Sequence, residues 1–270
     1  MRDIESIGLI GGGQMGEAII RGILDAGLIT SEKIMVFEPA QERREYLNET
    51  YSVRTADDEG SLAEFSSIII LAVKPQIAAK VLDQYKQFVT DRHLIISIAA
   101  GITIRSIEEK LGETIRIIRV MPNTPALVLA GASALSPNAQ AGPADVLAAL
   151  DIFSSIGTCV EVDEDLLDAV TGLSGSGPGY IFIFIEAMID GGVLAGLPRP
   201  VAEQLVLQTV YGSAKLAIET GEPPAVLKGR VTSPGGTTIT GLQVLEESGM
   251  RSAVMKAIKS AAERSRELGK

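Results

Sequence analysis

Near the start of this 270-residue chain, the stretch Ile7-Gly8-Leu9-Ile10-Gly11-Gly12-Gly13-Gln14-Met15-Gly16 has the pattern of a strand, a glycine-rich turn and the beginning of a helix. Its apolar first four residues predict a buried parallel strand, and helical periodicity follows the glycines. Gly11, Gly13 and Gly16 match the G-x-G-x-x-G pattern of a strand–turn–helix that binds a dinucleotide. Gly11 would allow the tight turn, Gly13 would let the backbone approach a pyrophosphate, and Gly16 would let the helix pack on the strand. The alternative is a glycine-rich turn without a ligand.

Short apolar runs alternate with helical patterns up to about residue 160, which is typical of parallel βαβ units. We predict strands over 34–37, 68–73, 94–98, 115–120 and 132–135, and helices over 42–50, 76–88, 104–111 and 144–156. Beyond residue 162 the pattern is helical only, over 164–171, 178–195, 199–220, 225–229, 237–247 and 249–268. The predicted fold is therefore α/β, with a doubly wound (Rossmann-type) parallel sheet domain over 1–162 and an all-α domain over 163–270.

Composition narrows the class of protein. The net charge of −10 argues against nucleic acid and anionic membranes as main partners. Cys159 is the only cysteine and His93 the only histidine, so we expect neither a disulfide nor a metal site. Cys159 falls in a predicted strand and is expected to be structural, and His93 is expected to be a polar residue at the start of another. We see no signal peptide, and the apolar run over 180–185 is too short to span a bilayer, so a cytoplasmic location is expected.

Several motifs fall at the predicted carboxyl ends of strands, where doubly wound sheets bind ligands. Each motif alone is better explained as a plain strand–loop transition, but together with the glycine fingerprint they outline a cofactor groove. The residues expected to contact the cofactor are Gly11, Gly13, Gln14, Met15, Glu38, Val73, Lys74, Pro75, Ala99, Ala100, Gly101 and Asn123.

Glu38 ends the second predicted strand, 22 residues after Gly16. A carboxylate at this place accepts hydrogen bonds from the adenosine ribose of NADH and repels the 2′-phosphate of NADPH. Arg43 and Arg44 follow within the next turn and either offset this repulsion or lie on a solvated helix face. The expected cofactor is NADPH or NADH, and Glu38 favours NADH.

A second glycine-rich loop lies in the helical half, Val231-Thr232-Ser233-Pro234-Gly235-Gly236-Thr237-Thr238-Ile239. It carries four hydroxyl side chains and leads into a predicted helix. Free N–H groups and hydroxyls at a helix N-terminus suit an anion, here a substrate carboxylate. The alternative is an ordinary turn in which a threonine caps the helix.

The glycines Gly172, Gly175 and Gly177 resemble the G-x-x-G-x-G-x-x-x-K pattern of 3-hydroxyacid dehydrogenases, whose lysine is the acid–base group. Ile181 occupies the lysine position here, which disfavours alcohol oxidation because that reaction needs a base for the hydroxyl proton. Reduction of a protonated imine needs only a hydride, orientation and a hydrogen-bond partner at nitrogen. A 3-hydroxyacid dehydrogenase relative and a catalytically silent NAD(P)-binding regulator remain as alternatives.

Over essentially its whole length the chain resembles the pyrroline-5-carboxylate reductases. The resemblance is carried by GGGQMG (11–16), AVKP (72–75), SIAAG (97–101), MPNTPA (121–126), SGSGP (174–178) and SPGGTT (233–238). It implies NAD(P)H-dependent reduction of 1-pyrroline-5-carboxylate to L-proline, the last step of proline biosynthesis. It also implies a helical domain that forms a homodimer, with dimers assembling into decamers.

Position by position, the resemblance assigns the substrate carboxylate to Ser233, Gly235, Gly236, Thr237 and Thr238. It assigns Thr238 the catalytic contact with the ring nitrogen. Glu38 departs from the small hydroxyl residue common after the second strand, which puts the usual 2′-phosphate contact in doubt.

Overall fold

The computed structural model describes residues 4–269. An eight-stranded sheet forms the N-terminal part of the chain. Its strands are β1 (Ile7–Ile10), β2 (Ile34–Phe37), β3 (Arg54–Thr55), β4 (Ile68–Leu71), β5 (Leu94–Ser97), β6 (Arg116–Met121), β7 (Gly131–Pro137) and β8 (Gly157–Glu161). They lie in the order β3-β2-β1-β4-β5-β6-β7-β8, so the chain winds outward in both directions from β1.

Helices cover both faces of this sheet. They are α1 (Gln14–Asp25), α2 (Gln41–Tyr51), α3 (Glu59–Phe65), α4 (Pro75–Tyr85), α5 (Ile104–Leu111) and α6 (Pro143–Ser154). Side chains of β4 alternate between the two faces. Ile70 packs in one apolar core with α1 and α6, and Ile69 packs in a second core with α3, α4 and α5. This alternation of a fully apolar strand is typical of a sheet that is buried on both sides.

The predicted α/β class is confirmed, with one correction to the parallel pairing. The strands from β3 to β6 pair in parallel, but β6 and β7 pair antiparallel, with Met121 opposite Ala134. The connection between them holds only a short 3₁₀ turn, Thr124–Val128. A parallel return requires a crossover of about a dozen residues, usually a helix. The prediction also missed β3 and α3, which are too short to give a clear periodic pattern.

The rest of the chain is helical, as predicted. A 3₁₀ turn (Glu164–Leu166), α7 (Leu167–Val170) and a π-helical turn (Thr171–Gly175) replace the single helix expected over 164–171. The helices that follow are α8 (Gly177–Leu194), α9 (Arg199–Thr220), α10 (Pro224–Arg230), α11 (Thr237–Glu247) and α12 (Met250–Leu268).

The chain divides into two compact units. The first contains the described residues up to 176 and from 259 onward, and the second contains residues 177–258. The first unit therefore includes the sheet, the π-helical turn and the end of α12. The boundary expected near residue 162 remains a prediction about the independently folding parts.

The second unit has almost no interior of its own. In residues 177–258, Ala202 and Val206 are the buried ones. Large apolar side chains lie in solvent instead, and Ile183 on α8 is 69% exposed while Ile218 on α9 is 81% exposed. A helix that is apolar on all sides needs a partner surface. The helical segment Glu164–Leu194 is also long and apolar enough to cross a membrane, by length and composition alone.

Candidate active site

The glycine turn joins the carboxyl end of β1 to the start of α1. Gly11 has a φ of +100°, and a Cβ there would lie 2.6 Å from the carbonyl oxygen of Ala72, so the position requires glycine. Gly13 is the N-cap of α1, with φ −66° and ψ −172°. No atom lies within 4 Å of the place where a Cβ at Gly13 would stand. The absence of a side chain at Gly13 therefore leaves open space beside the turn, through which a ligand can approach the backbone.

Three hydrogen bonds connect the backbone of this turn to Phe37, Glu38 and Arg43. The N–H of Gly11 donates to the carbonyl of Phe37 at 2.9 Å, and the N–H of Gly12 donates to Oε2 of Glu38 at 2.9 Å. The carbonyl of Gly12 accepts from Nε of Arg43 at 2.5 Å. Among residues 4–269, no hydrogen bond engages the N–H groups of Gly13, Gln14 and Met15. These free donors at a helix N-terminus suit a pyrophosphate.

A cavity of about 580 Å³ opens beside the turn, at the carboxyl ends of β1, β2 and β4. Its lining includes Gly11, Gly13, Glu38, Val73 and Lys74, so the structure brings five of the predicted cofactor residues together. Glu38 stands at the wall with both carboxylate oxygens in use, since Oε1 also accepts from the N–H of Ala40 at 3.0 Å. Size, apolar walls and a carboxylate at the end of β2 fit the adenosine half of a dinucleotide.

A second cavity, of about 310 Å³, continues on the other side of the turn. Gln14 and Met15 from α1 face Val73 and Lys74 across it, and Met121 and Pro122 close its far end. Pro75, Ala100 and Gly101 line a third cavity of about 470 Å³. Ala99 is 3% exposed and belongs to the core beneath these loops rather than to their lining.

Asn123 is placed differently from the prediction that its amide faces the cofactor. Its Oδ1 accepts from the N–H of Ala132 at 2.8 Å, and its Nδ2 donates to the carbonyl of Ser174 at 3.0 Å. The side chain is 9% exposed. The amide therefore joins the start of β7 to the π-helical turn.

The 233–238 loop lies in the second unit and leads into α11. Gly235 has a φ of +65°, and Gly236 is the N-cap of α11 without a side-chain capping hydrogen bond. In the described part of the chain, the N–H groups of Thr237 and Thr238 have no hydrogen-bond partner. The alternative in which a threonine caps the helix is therefore wrong, and the loop presents free donors together with the hydroxyls of Ser233, Thr237 and Thr238.

The single cysteine and the single histidine lie outside these cavities. Burial raises the pKa of the Cys159 thiol to about 12, which leaves almost no thiolate at neutral pH. His93 is fully buried and bonds to the carbonyl of Ala63 at 3.0 Å and to Thr90. The expected structural role of Cys159 agrees with its surroundings, and His93 fixes the turn before β5.

Sequence reasoning missed two groups of residues at the site. The cavity of about 580 Å³ is also lined by five residues of α4, namely Ile77, Lys80, Val81, Gln84 and Tyr85. Their helical spacing after the Val73–Lys74 strand end could have pointed to them. The second group consists of Glu17, Tyr46 and Tyr51 around Arg43. These side chains connect α1, α2 and the glycine turn, so no local sequence pattern indicates the group.

The fold and the cavity at its glycine turn define a nicotinamide-dinucleotide-dependent oxidoreductase. Residues 6–101 match the family model "NADP oxidoreductase coenzyme F420-dependent", and residues 164–268 match "Pyrroline-5-carboxylate reductase dimerisation". A pyrroline-5-carboxylate reductase of Synechocystis sp. is 49% identical, over 98% of each chain. A solved pyrroline-5-carboxylate reductase of Coxiella burnetii has a TM-score of 0.95 at 36% identity, over 99% of this chain and 100% of that one.

The Plasmodium falciparum pyrroline carboxylate reductase, solved with NADP bound, has a TM-score of 0.88 at 37% identity, over 100% of both chains. The chain belongs to the pyrroline-5-carboxylate reductase family. The resemblance seen in the sequence motifs is thereby confirmed, and the chain is an oxidoreductase with a helical dimerisation domain.

Proposed function

We propose that this protein reduces 1-pyrroline-5-carboxylate to L-proline at the expense of NADH or NADPH. The observation that carries the proposal is the open space above Gly13, beside free N–H groups, in a chain that belongs to this family from end to end. Turnover tests it: purified protein should oxidise NADH or NADPH only when pyrroline-5-carboxylate is added. Reduction of NAD+ or NADP+ by a 3-hydroxyacid, without turnover of pyrroline-5-carboxylate, would instead favour the 3-hydroxyacid dehydrogenases.

The chain's own groups bind and orient the reactants. The N–H groups of Gly13, Gln14 and Met15 bind the pyrophosphate, and the cavity beside Glu38 takes the adenosine. Val73, Lys74 and Pro75, with Ala100 and Gly101 of the loop after β5, border the nicotinamide half. The reduced nicotinamide, when bound, supplies a hydride to the imine carbon.

The 233–238 loop is the proposed substrate site. Its free N–H groups at the start of α11 and its hydroxyls hold the carboxylate, and the helix dipole favours the negative charge. The Thr238 hydroxyl bonds the ring nitrogen. Because a protonated imine already carries its proton, orientation and one hydrogen bond suffice, and no strong base is needed. The structure offers none on this loop.

We also propose that NADH serves at least as well as NADPH. At an effective dielectric constant of about 20, a 2′-phosphate about 5 Å from the Glu38 carboxylate is repelled by roughly 3 kcal/mol before screening. Both nearby arginines are engaged: Arg43 with the glycine turn, and Arg44 with the carbonyl of Glu38 at 2.7 Å. Lys74 and Lys80 also line the cavity and act in the opposite direction.

The test compares kcat/KM for both cofactors in the wild type, Glu38→Ser and Glu38→Gln. Because Glu38 also holds Gly12, glutamine is needed to remove the charge while keeping an acceptor for that N–H. Both variants should shift preference toward NADPH. A wild type that favours NADPH tenfold, with no shift in either variant, would show that Glu38 does not select the cofactor.

The exposed apolar surface of α8 and α9 is proposed to be the homodimer interface, with dimers assembled further into a decamer. The near absence of buried residues in this unit supports the interface. This use of the surface accounts for the apolar length of Glu164–Leu194 without a membrane. We propose a cytoplasmic enzyme with no nucleic-acid partner, in keeping with its net charge.

A further inference from the structure

The guanidinium of Arg43 is committed to the glycine turn. Its Nε donates to the carbonyl of Gly12 at 2.5 Å, and one terminal nitrogen reaches the carbonyl of Gly13 at 3.4 Å. The same nitrogen pairs with the carboxylate of Glu17 on the first turn of α1. The Arg43 side chain is only 27% exposed, and the guanidinium lies 4.9 Å over the ring of Tyr46.

Glu17 is in turn held by two tyrosines of α2. Its second oxygen accepts from the hydroxyl of Tyr46 at 2.9 Å and from that of Tyr51 at 2.8 Å. Burial and this bond to Glu17 raise the pKa of Tyr51 to about 12, so its hydroxyl remains a donor. The side chains of Arg43, Glu17, Tyr46 and Tyr51 thus form one network that connects α1 and α2 to the backbone of the glycine turn.

Side chains therefore fix the two peptide groups that flank Gly12. The N–H of Gly12 donates to Glu38 and its carbonyl accepts from Arg43. Three successive glycines without such restraints would sample many backbone conformations, because glycine has no Cβ to limit them. Fixing the Gly12 carbonyl toward Arg43 leaves the N–H of Gly13 on the opposite side, toward the cavity.

We propose that Arg43, anchored by Glu17, is a positioning residue that presents the glycine turn to the cofactor pyrophosphate and does not bind a 2′-phosphate. The inference rests on the proposed function only in that the ligand is NADH or NADPH. Since both cofactors share the pyrophosphate, losing Arg43 should weaken them equally. A ligand of the 2′-phosphate would affect NADPH alone.

The test is the Kd of NADH and of NADPH, measured by calorimetry without substrate, for the wild type and for Arg43→Met. We expect both affinities to fall by a similar factor of about tenfold, the cost of a charged hydrogen bond. KM for each cofactor should rise while kcat at saturating cofactor stays unchanged. Arg43→Lys, which keeps a charged donor, should recover part of the affinity. Arg105→Met, at an exposed ion pair on α5, is the matched control and should leave both affinities unchanged.

Glu17→Gln keeps Arg43 but removes its charged anchor, and it should weaken both cofactors to a smaller extent. A loss confined to NADPH in Arg43→Met would overturn the inference, and so would wild-type affinities in both variants. If Arg43→Met unfolds, equal weakening in Glu17→Gln supports the inference and unchanged affinity there overturns it. A wild type that binds neither dinucleotide would refute the proposed cofactor, and the inference with it.

Discussion

Substitution of Gly13 by alanine tests whether glycine is required there for folding or for cofactor binding. The φ of −66° at Gly13 suits any L-residue, and the added Cβ meets no atom within 4 Å. The folded chain should therefore accept alanine. The lower freedom of the unfolded chain favours alanine by about 0.4–1 kcal/mol, but glycine is preferred to alanine at a helix N-cap, so the stability of the folded protein should change little.

Cofactor binding, in contrast, should weaken. The new methyl group occupies the space through which the backbone approaches the phosphates, so the pyrophosphate must move away from the free N–H groups. Losing one hydrogen bond to a charged group costs about 1.5–3 kcal/mol. That cost corresponds to a roughly 10- to 150-fold increase in Kd.

The assay is the Kd of NADH by calorimetry together with the thermal unfolding midpoint. Gly11→Ala is the control, because its φ of +100° and the carbonyl of Ala72 at 2.6 Å predict loss of stability there. Wild-type affinity for NADH in Gly13→Ala would show that the pyrophosphate does not approach the backbone at this position. Destabilisation of Gly13→Ala as large as that of Gly11→Ala would show that the fold itself requires glycine there.

Three further predictions address the substrate, the arginine network and the assembly. Thr238→Val should leave folding and cofactor binding intact but lower kcat/KM, because losing the hydrogen bond to the ring nitrogen costs about 1–3 kcal/mol of transition-state stabilisation. Wild-type turnover in this variant would exclude the proposed contact of Thr238 with the ring nitrogen. Burial alone would raise the pKa of Glu17, but hydrogen bonds from Arg43, Tyr51 and Tyr46 outweigh it and hold this pKa below its ordinary value of 4.5. The stabilisation by this carboxylate is therefore fully present above pH 4.5 and lost as the pH falls through the lowered pKa, so the difference in unfolding free energy between the wild type and Glu17→Gln should shrink in acid. Light scattering should show an oligomer at micromolar concentration, and a stable monomer would contradict burial of α8 and α9 between copies.

Local sequence patterns were enough to predict the elements around β1. The apolar run Ile7–Ile10, the glycines and the helical repeat each carry local information, and the structure has the same strand, turn and helix. The direction of β7 could not be predicted in this way. It depends on the short connection after Met121, whose turn chemistry gives no periodic signal.

At the site, chain neighbours were easier to predict than partners from distant elements. Val73 and Lys74 end a strand, so the general rule for doubly wound sheets placed them correctly at the cavity. Asn123 also follows a strand, yet its amide turns inward to Ser174, 51 residues later. The ion pair of Arg43 with Glu17 likewise joins residues 26 positions apart, and only tertiary packing brings them together.

The proposed reaction is hydride transfer from a nicotinamide cofactor to the carbon of the cyclic imine. Its most direct test uses NADH or NADPH carrying deuterium at the transferable position of C4, with pyrroline-5-carboxylate as substrate, and mass spectrometry of the product. We expect proline with one deuterium on the former imine carbon, in an amount equal to that of the cofactor oxidised. In Thr238→Val, labelled proline should form much more slowly. Cofactor oxidation without proline, or proline that carries no deuterium, would contradict the proposed reaction.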